Sequence, residues 1–224
     1  MTRTTSRTSV RPIVVMLFGV ALGWLLVTAA PAKATWSDTN CSGSFSTLST
    51  WKRSQAKSYV APVDREGYEW GGGCYKLNNR DDTPGAPDSS GEGNDCSGLV
   101  FRTWALREDG AAGYRMYPLT VNIHGPYTTG SYYSPSSSNQ FKTVAKSYSV
   151  TEYMDAFVYR SGDAGHIGLI YAEGSNGLDT IIEAKGDAEG SVIAQRDYRS
   201  SSAYKGVARK SWTKECFPQC KQRP

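Results

Sequence analysis

The sequence predicts an α+β domain in which one helix packs against a mainly antiparallel sheet. Three observations carry this expectation. A helical apolar pattern begins at Asp95, and four strand-like runs crowd the stretch from Ala156 to Gln195. Two of those runs are joined by the turn formers Gly174-Ser175-Asn176-Gly177, which read as a hairpin. A helix followed by a meander, with no internal repeat, places that helix on one face of the sheet.

The chain has 224 residues, and the first 34 have the pattern of an export signal. Arg3, Arg7 and Arg11 precede the apolar run Ile13–Val27, and Ala32-Lys33-Ala34 supplies small residues where signal peptidase reads them. The other reading of this run is an uncleaved membrane anchor; Pro31 and the A-x-A pattern favour cleavage. No twin arginine is present, so general secretion is expected. Residues 1–34 hold four basic residues and no acidic one. Taking these from the 25 Lys+Arg of the chain leaves 21 against 21 Asp+Glu. The mature part is therefore neutral, which removes the electrostatic case for nucleic acid. Outside the signal no run is long and apolar enough to span a membrane. The expected product is secreted, extracellular or wall-associated, and monomeric.

The elements then follow in order. Residues 35–46 are polar and Ser/Thr-rich, an extended N-terminal extension. Leu48, Trp51, Ala56 and Tyr59 lie near helical spacing within 47–59 and predict a short helix. Residues 76–94 are almost purely turn formers, hence a surface loop. From Asp95, Leu99, Val100, Thr103 and Trp104 share one helical stripe, with Gly110 as a stop. Residues 111–148 are rich in Tyr, Ser, Gly and Pro and read as a long ordered loop. The strands are Ala156–Arg160, His166–Ala172, Thr180–Ala184 and Ser191–Gln195. Residues 209–224 form a Cys-containing tail.

Five cysteines follow the signal: Cys41, Cys74, Cys96, Cys216 and Cys220. In an oxidising compartment an odd count leaves at least one thiol without an intramolecular partner. Four of the five lie in turn-rich or terminal segments, which suits two disulfides. Cys41 with Cys74 and Cys216 with Cys220 is the arrangement expected, out of the three that four cysteines allow. Cys96 alone directly precedes a helical pattern. Asp95 is a good N-cap, so Cys96 falls in the first helical turn, where free N–H groups and the helix dipole favour a thiolate. The same N–H groups can receive an oxyanion, and Ser97 and Gly98 leave room for a substrate carbonyl. On spacing alone, a buried thiol or one paired with Cys74 competes evenly with a nucleophile.

A cysteine nucleophile needs a base oriented by a third polar group. The chain offers two histidines, His124 in the irregular loop and His166 at a strand start between Gly165 and Gly168. His124 reads as a surface or satisfied core residue, and His166 as the candidate base. With a four-residue hairpin loop at 174–177, Glu183 opposes Gly168, one diagonal from His166 on the same face. Glu183 also interrupts the apolar run Ile181-Ile182-Glu183-Ala184, although a solvated outer face would explain it equally.

Gly67-Tyr68-Glu69-Trp70-Gly71-Gly72, Asp95-Cys96-Ser97-Gly98-Leu99-Val100 and Gly165-His166-Ile167-Gly168 together resemble the NlpC/P60 family of papain-like cysteine peptidases. The resemblance runs from roughly Thr47 to Ala208, and Met154–Tyr159 looks like the strand that precedes the family's histidine strand. It implies a papain-like catalytic domain over 47–208, with the Cys helix on an antiparallel sheet. It implies hydrolysis of amide bonds in peptidoglycan stem peptides, typically beside D-glutamate and a diamino acid. Carried over, Cys96 becomes the nucleophile and His166 the base. Tyr68 becomes a residue that bonds substrate or oxyanion, and Trp70 shapes the cleft floor. Asp95 and Ser97 join Tyr68 and Trp70 as residues beside the substrate.

Three departures mark this chain. The family's third residue is commonly His, where Glu183 stands here; a carboxylate can also orient an imidazolium. The link from Gly73 to Asp95 is long and contains Cys74. Residues 111–148 add Tyr114, Tyr117, Tyr127, Tyr132 and Tyr133, and both insertions are placed to border the cleft. No cofactor or metal is expected: Cys216-x-x-x-Cys220 has no neighbouring ligand, and Gly71–Gly73 lacks the residues of a phosphate loop. The alternatives are a secreted toxin-type amidase with a non-wall substrate, and a non-catalytic wall-binding module. The intact Cys96/His166 pair favours an enzyme.

Overall fold

Short apolar runs bounded by turn formers fill the second half of the chain, and the central strands built from them bury both faces: residues 167–170 and 181–184 are buried without a break. The computed structural model describes residues 46–48, 50–74, 93–110, 113–117, 123–186 and 188–213. The signal segment, the extension up to residue 45, most of the 76–94 loop and the tail beyond Thr213 lie outside them.

In chain order the elements are β1 (Ser46–Leu48), α1 (Arg53–Val60), β2 (Gly73–Cys74), β3 (Gly93–Asn94), α2 (Cys96–Thr103), β4 (Tyr114–Met116), α3 (Thr129–Tyr133), β5 (Phe141–Val144), β6 (Ala156–Ser161), β7 (Ala164–Ser175), β8 (Leu178–Gly186), β9 (Gly190–Arg196) and β10 (Tyr204–Arg209). Six strands form one sheet in the order β5-β10-β6-β7-β8-β9, antiparallel throughout. Helix α2 packs across β7 and β8, and α1 lies against α2. The molecule is thus α+β with few helices, as expected. No helix among the described residues is long and apolar enough to cross a membrane.

The four expected strands are present, each slightly longer than its apolar run. The first helix begins later than expected, at Arg53, because Ser46–Leu48 pairs instead with Met116–Tyr114. Helix α2 stops at Thr103 rather than near Gly110. Ala105 takes a left-handed φ of 50°, and the Ala105 N–H turns back to the Arg102 carbonyl. Every residue of α2 is buried, so no solvent-facing stripe marks where it ends.

The segment 111–148 differs most from its reading as a loop beside the cleft. It supplies β4, α3 and β5, and the rings of Tyr114, Tyr117, Tyr127, Tyr132 and Phe141 are core, with Tyr133 partly buried against them. Tyr127, Tyr132 and Phe141 pack on one another at 4.5–6.1 Å, with Tyr132 and Phe141 also against Trp104, which caps α2. Each ring so buried contributes on the order of 2–3 kcal/mol. The Trp104 indole N–H donates to the Met154 carbonyl at 2.7 Å, which ties α2 to the entry of β6. A buried ion pair, Arg53 to Asp155 at 2.7 Å, ties α1 to the same corner. The position of the Cys96 helix over β7 and β8 is therefore fixed from several sides.

Candidate active site

Cys96 is the first residue of α2, and its place follows from Asp95. The Asp95 side chain accepts the Gly98 N–H at 2.7 Å, the capping bond that starts the helix. The cap itself is held by the turn before it. The Asp95 N–H donates to the Gly72 carbonyl at 3.0 Å, and the Gly71 N–H donates to Asp95 Oδ2 at 3.1 Å. Tyr68 bridges to Asn94 and is 8% exposed, whereas Trp70 is 57% exposed. The Gly-Tyr-Glu-Trp-Gly-Gly segment thus lies directly against the helix start. Of its two aromatic residues, one is buried and one open to solvent.

The Cys96 thiol is free and buried, and the backbone of Ile167 on β7 hydrogen-bonds the sulfur. This puts the sulfur beside the residue that follows His166. Burial, and then the Asp95 charge, push the thiol up to about 12; the N–H groups of Ile167, Ser97 and Cys96 oppose this. Sequence alone pointed to a thiolate favoured by the helix dipole. In the structure desolvation and a neighbouring carboxylate outweigh it, so the resting group is a thiol.

His166 directs Nε2 at Glu183 Oε2, 2.5 Å away. Its other nitrogen, Nδ1, is not held by Glu183. Glu183 is fully buried and is held by two further donors, Arg196 Nε on Oε1 at 2.6 Å and the Tyr198 hydroxyl on Oε2 at 2.8 Å. Burial alone would raise the Glu183 carboxyl, but donation and charge from His166, then donation from Arg196 and Tyr198, bring it down to about 2. The His166 ring also meets the Tyr198 ring edge-on at 6.0 Å.

The expected register across this hairpin is present, produced by a different turn. Ser175 pairs with Leu178 around a two-residue Asn176-Gly177 turn, both residues having positive φ (55° and 83°). Two irregularities, between Ile170 and Ala172 and between Ala172 and Ser175, then shift the strands until Leu169 faces Ile182. Gly168 therefore lies against Glu183. A Cβ there would meet Glu183 Oε2 at 3.2 Å and an Ile181 methyl at 2.6 Å.

Asp95 and Ser97, expected beside the substrate, are engaged inside the protein. The Ser97 hydroxyl donates to Asp95 Oδ1 at 3.0 Å, and both residues meet His124 Nε2 at 2.9 Å. His124 is 5% exposed, so it is a satisfied buried histidine as its sequence setting allowed. The space beside Gly98 is likewise filled by protein. A Cβ on Gly98 would lie 2.4 Å from the Gly72 oxygen and 2.9 Å from the His124 ring. Sequence reasoning overlooked Arg196, Tyr198 and the His124–Asp95 pairing. Arg196 lies four residues beyond Val192, which faces Glu183 on β9, so strand parity alone could have placed it on the same face.

Cys41, Cys216 and Cys220 lie outside the described residues, as does the Cys74 side chain. Among the described residues no group of three or more His, Cys, Asp or Glu could hold a metal ion. No family model matches the chain, and no curated protein matches it.

Proposed function

We propose that the protein is a secreted cysteine hydrolase of NlpC/P60 type, an endopeptidase or amidase that cleaves amide bonds in peptidoglycan stem peptides. The observation that carries this reading is the juxtaposition at Cys96. A free thiol at a helix N-terminus is hydrogen-bonded by Ile167, next to a histidine whose far nitrogen is held by a buried carboxylate. A wall-binding module would need none of this.

In the reaction, His166 Nδ1 takes the thiol proton as the sulfur attacks the substrate carbonyl. Because burial keeps the resting thiol protonated, His166 must remove that proton for the sulfur to attack. Glu183 keeps the Nε2–H in place and stabilises the imidazolium that forms, without taking the proton. The N–H groups of Cys96 and Ser97 and the Tyr68 hydroxyl stabilise the oxyanion. His166 then returns its proton to the leaving amine, and water hydrolyses the thioester by the same route in reverse. Trp70, open to solvent beside Gly71, offers a flat contact for the peptide.

The test is to incubate the secreted protein with purified wall peptides and map the cleaved bond by mass spectrometry, beside Cys96→Ala. Cleavage by the wild type alone is expected. Equal release by both proteins refutes the mechanism, and no release from any wall type refutes the substrate class.

A further inference from the structure

A second histidine–carboxylate pair lies behind the Cys96 helix, and its hydrogen bonds fix its protonation. His124 Nδ1 faces the Gly125 carbonyl oxygen at 2.8 Å, and Nε2 faces Asp95 Oδ2 at 2.9 Å. A carbonyl and a carboxylate only accept, so each ring nitrogen must carry a hydrogen. Ser97 agrees with this assignment. Its hydroxyl hydrogen goes to Asp95 Oδ1, which leaves its oxygen to accept from the same Nε2–H at 2.9 Å. A neutral ring with a bare Nε2 would set a lone pair against the carboxylate. The three residues are not a second nucleophilic triad, because serine and aspartate meet the same ring nitrogen and Ser97 is buried.

We propose that His124, as an imidazolium paired with Asp95, is a positioning residue for Cys96: it masks the carboxylate charge that opposes the thiolate. This rests on reading Cys96 as the nucleophile. Losing the His124 proton, or its side chain, uncovers a negative charge on the residue before Cys96 and makes the thiol harder to ionise.

Of the titratable groups near the thiol, Asp95 is adjacent on its own segment and Tyr68 is bridged to Asn94 just before it. On β7 His166 precedes Ile167, whose backbone bonds the sulfur, and Glu183 holds His166 from β8. From α3 the buried Tyr132 hydroxyl feels both Asp95 and Cys96, with Tyr127 beside it. Burial holds the Tyr132 hydroxyl well above its ordinary value, so it stays neutral and supplies no compensating charge. Burial pulls the His124 pKa down, but the Asp95 hydrogen bond and charge, with the Gly125 carbonyl, outweigh it and leave it raised. The imidazolium therefore persists above the usual histidine range and is lost as pH rises through the raised value. Rising pH therefore uncovers the Asp95 charge and raises the thiol pKa, so the alkylation rate should climb less steeply through this range than in Asp95→Asn, which has no carboxylate to uncover.

The experiment reads the thiol without any substrate. The full-length protein is treated with iodoacetamide from pH 6 to 10, and modification of the Cys96 peptide is followed by mass mapping. His124→Gln keeps an N–H for Asp95 and removes the charge; it should slow alkylation about tenfold at the acid end of this range, where the ring is protonated, about one pH unit in thiol acidity. Asp95→Asn keeps a capping side chain and should speed alkylation. In the double variant, His124→Gln should change the rate less than about twofold relative to Asp95→Asn alone. Equal slowing in both backgrounds would mean that His124 acts through packing, and would overturn the proposal. An unchanged rate in the single variant would overturn it too. Should His124→Gln fail to fold, Asp95→Asn decides alone: faster alkylation supports the charge argument, and an unchanged or slower rate refutes it. Failure to cleave wall peptides, with this alkylation pattern intact, would remove the proposed substrate and leave the role of His124 standing.

Discussion

Glu183→Gln keeps the shape of a fully buried side chain and removes its charge. The carboxylate accepts from His166 at 2.5 Å, Arg196 at 2.6 Å and Tyr198 at 2.8 Å. A glutamine has one acceptor oxygen for these three donors, and its NH2 must face one of them. A carboxyl taken from its ordinary 4.5 to about 2 by these partners contributes roughly 3 kcal/mol to folding at neutral pH. The sign follows from the depressed value. The contribution is present above 4.5, where an unfolded carboxyl is also ionised, and is lost as pH falls from there through about 2. Urea unfolding of both proteins at about pH 7, 5, 3.5 and 2.5 is the assay. The variant should be less stable by roughly 3 kcal/mol at the two higher values, with the gap closing towards the lowest. A gap that does not change with pH would show that shape, not charge, was lost. The absence of a gap at neutral pH would refute the account of Glu183 altogether.

His166→Ala should abolish wall-peptide cleavage, whereas Glu183→Ala should reduce kcat far less, since the base itself remains; comparable losses in steady-state assays would promote Glu183 to a full partner. Tyr68→Phe should lower kcat by about 10²-fold with little change in KM if its hydroxyl meets the developing oxyanion. Gly98→Ala drives a methyl to 2.4 Å from the Gly72 oxygen and 2.9 Å from the His124 ring, and should cost about 2–3 kcal/mol, read as a lower Tm. Trp70→Ala, at a site 57% exposed, should leave Tm unchanged and raise KM.

What the sequence disclosed, and what it hid, divides along physical lines. The strands of the hairpin and their register were readable because β structure has a strict period of two, and any register that buries Ile181 also fixes the face of Glu183. The turn was not readable at the same resolution. Asn176-Gly177 closes a tight two-residue turn, and two irregularities restore the register that a longer loop would have given. Strand β10 went unseen because Tyr204–Arg209 is short and carries Lys205, Gly206 and Arg209. The 111–148 segment deceived for another reason: tyrosine suits both a cleft edge and a core. Its rings are core because Trp104 and Phe141 lie next to them, and Trp104 is separated from Tyr132 and Phe141 by 28 residues of chain or more.

The pairing of Asp95 with His124 could not be read at all, because three glycines build it by vanishing. Gly73 admits the Ile123 carbonyl, Gly98 admits the Gly72 carbonyl and the His124 ring, and Gly125 fits beneath Phe101 at a φ of 80°. None of these close approaches leaves a mark in apolar periodicity. They bring onto Asp95 two backbone N–H groups, a hydroxyl and an imidazole, whereas among the described residues the Glu183 carboxylate is held by side chains alone. The difference matters for how each carboxylate can be altered. Asp95 is bound into the start of α2, so removing it disturbs the helix as well as the thiol, and only the cap-retaining asparagine separates the two effects. Glu183 is bound into no backbone, so its charge can be removed while the strands stay paired. Of the two imidazoles, His124 is tied into the start of α2 through Asp95 and Ser97, and His166 is held by Glu183 and the Tyr198 ring. In the proposed reaction proton transfer is assigned to the second, because Nδ1 of His166 is the ring nitrogen that Glu183 does not hold, whereas both nitrogens of His124 already face acceptors.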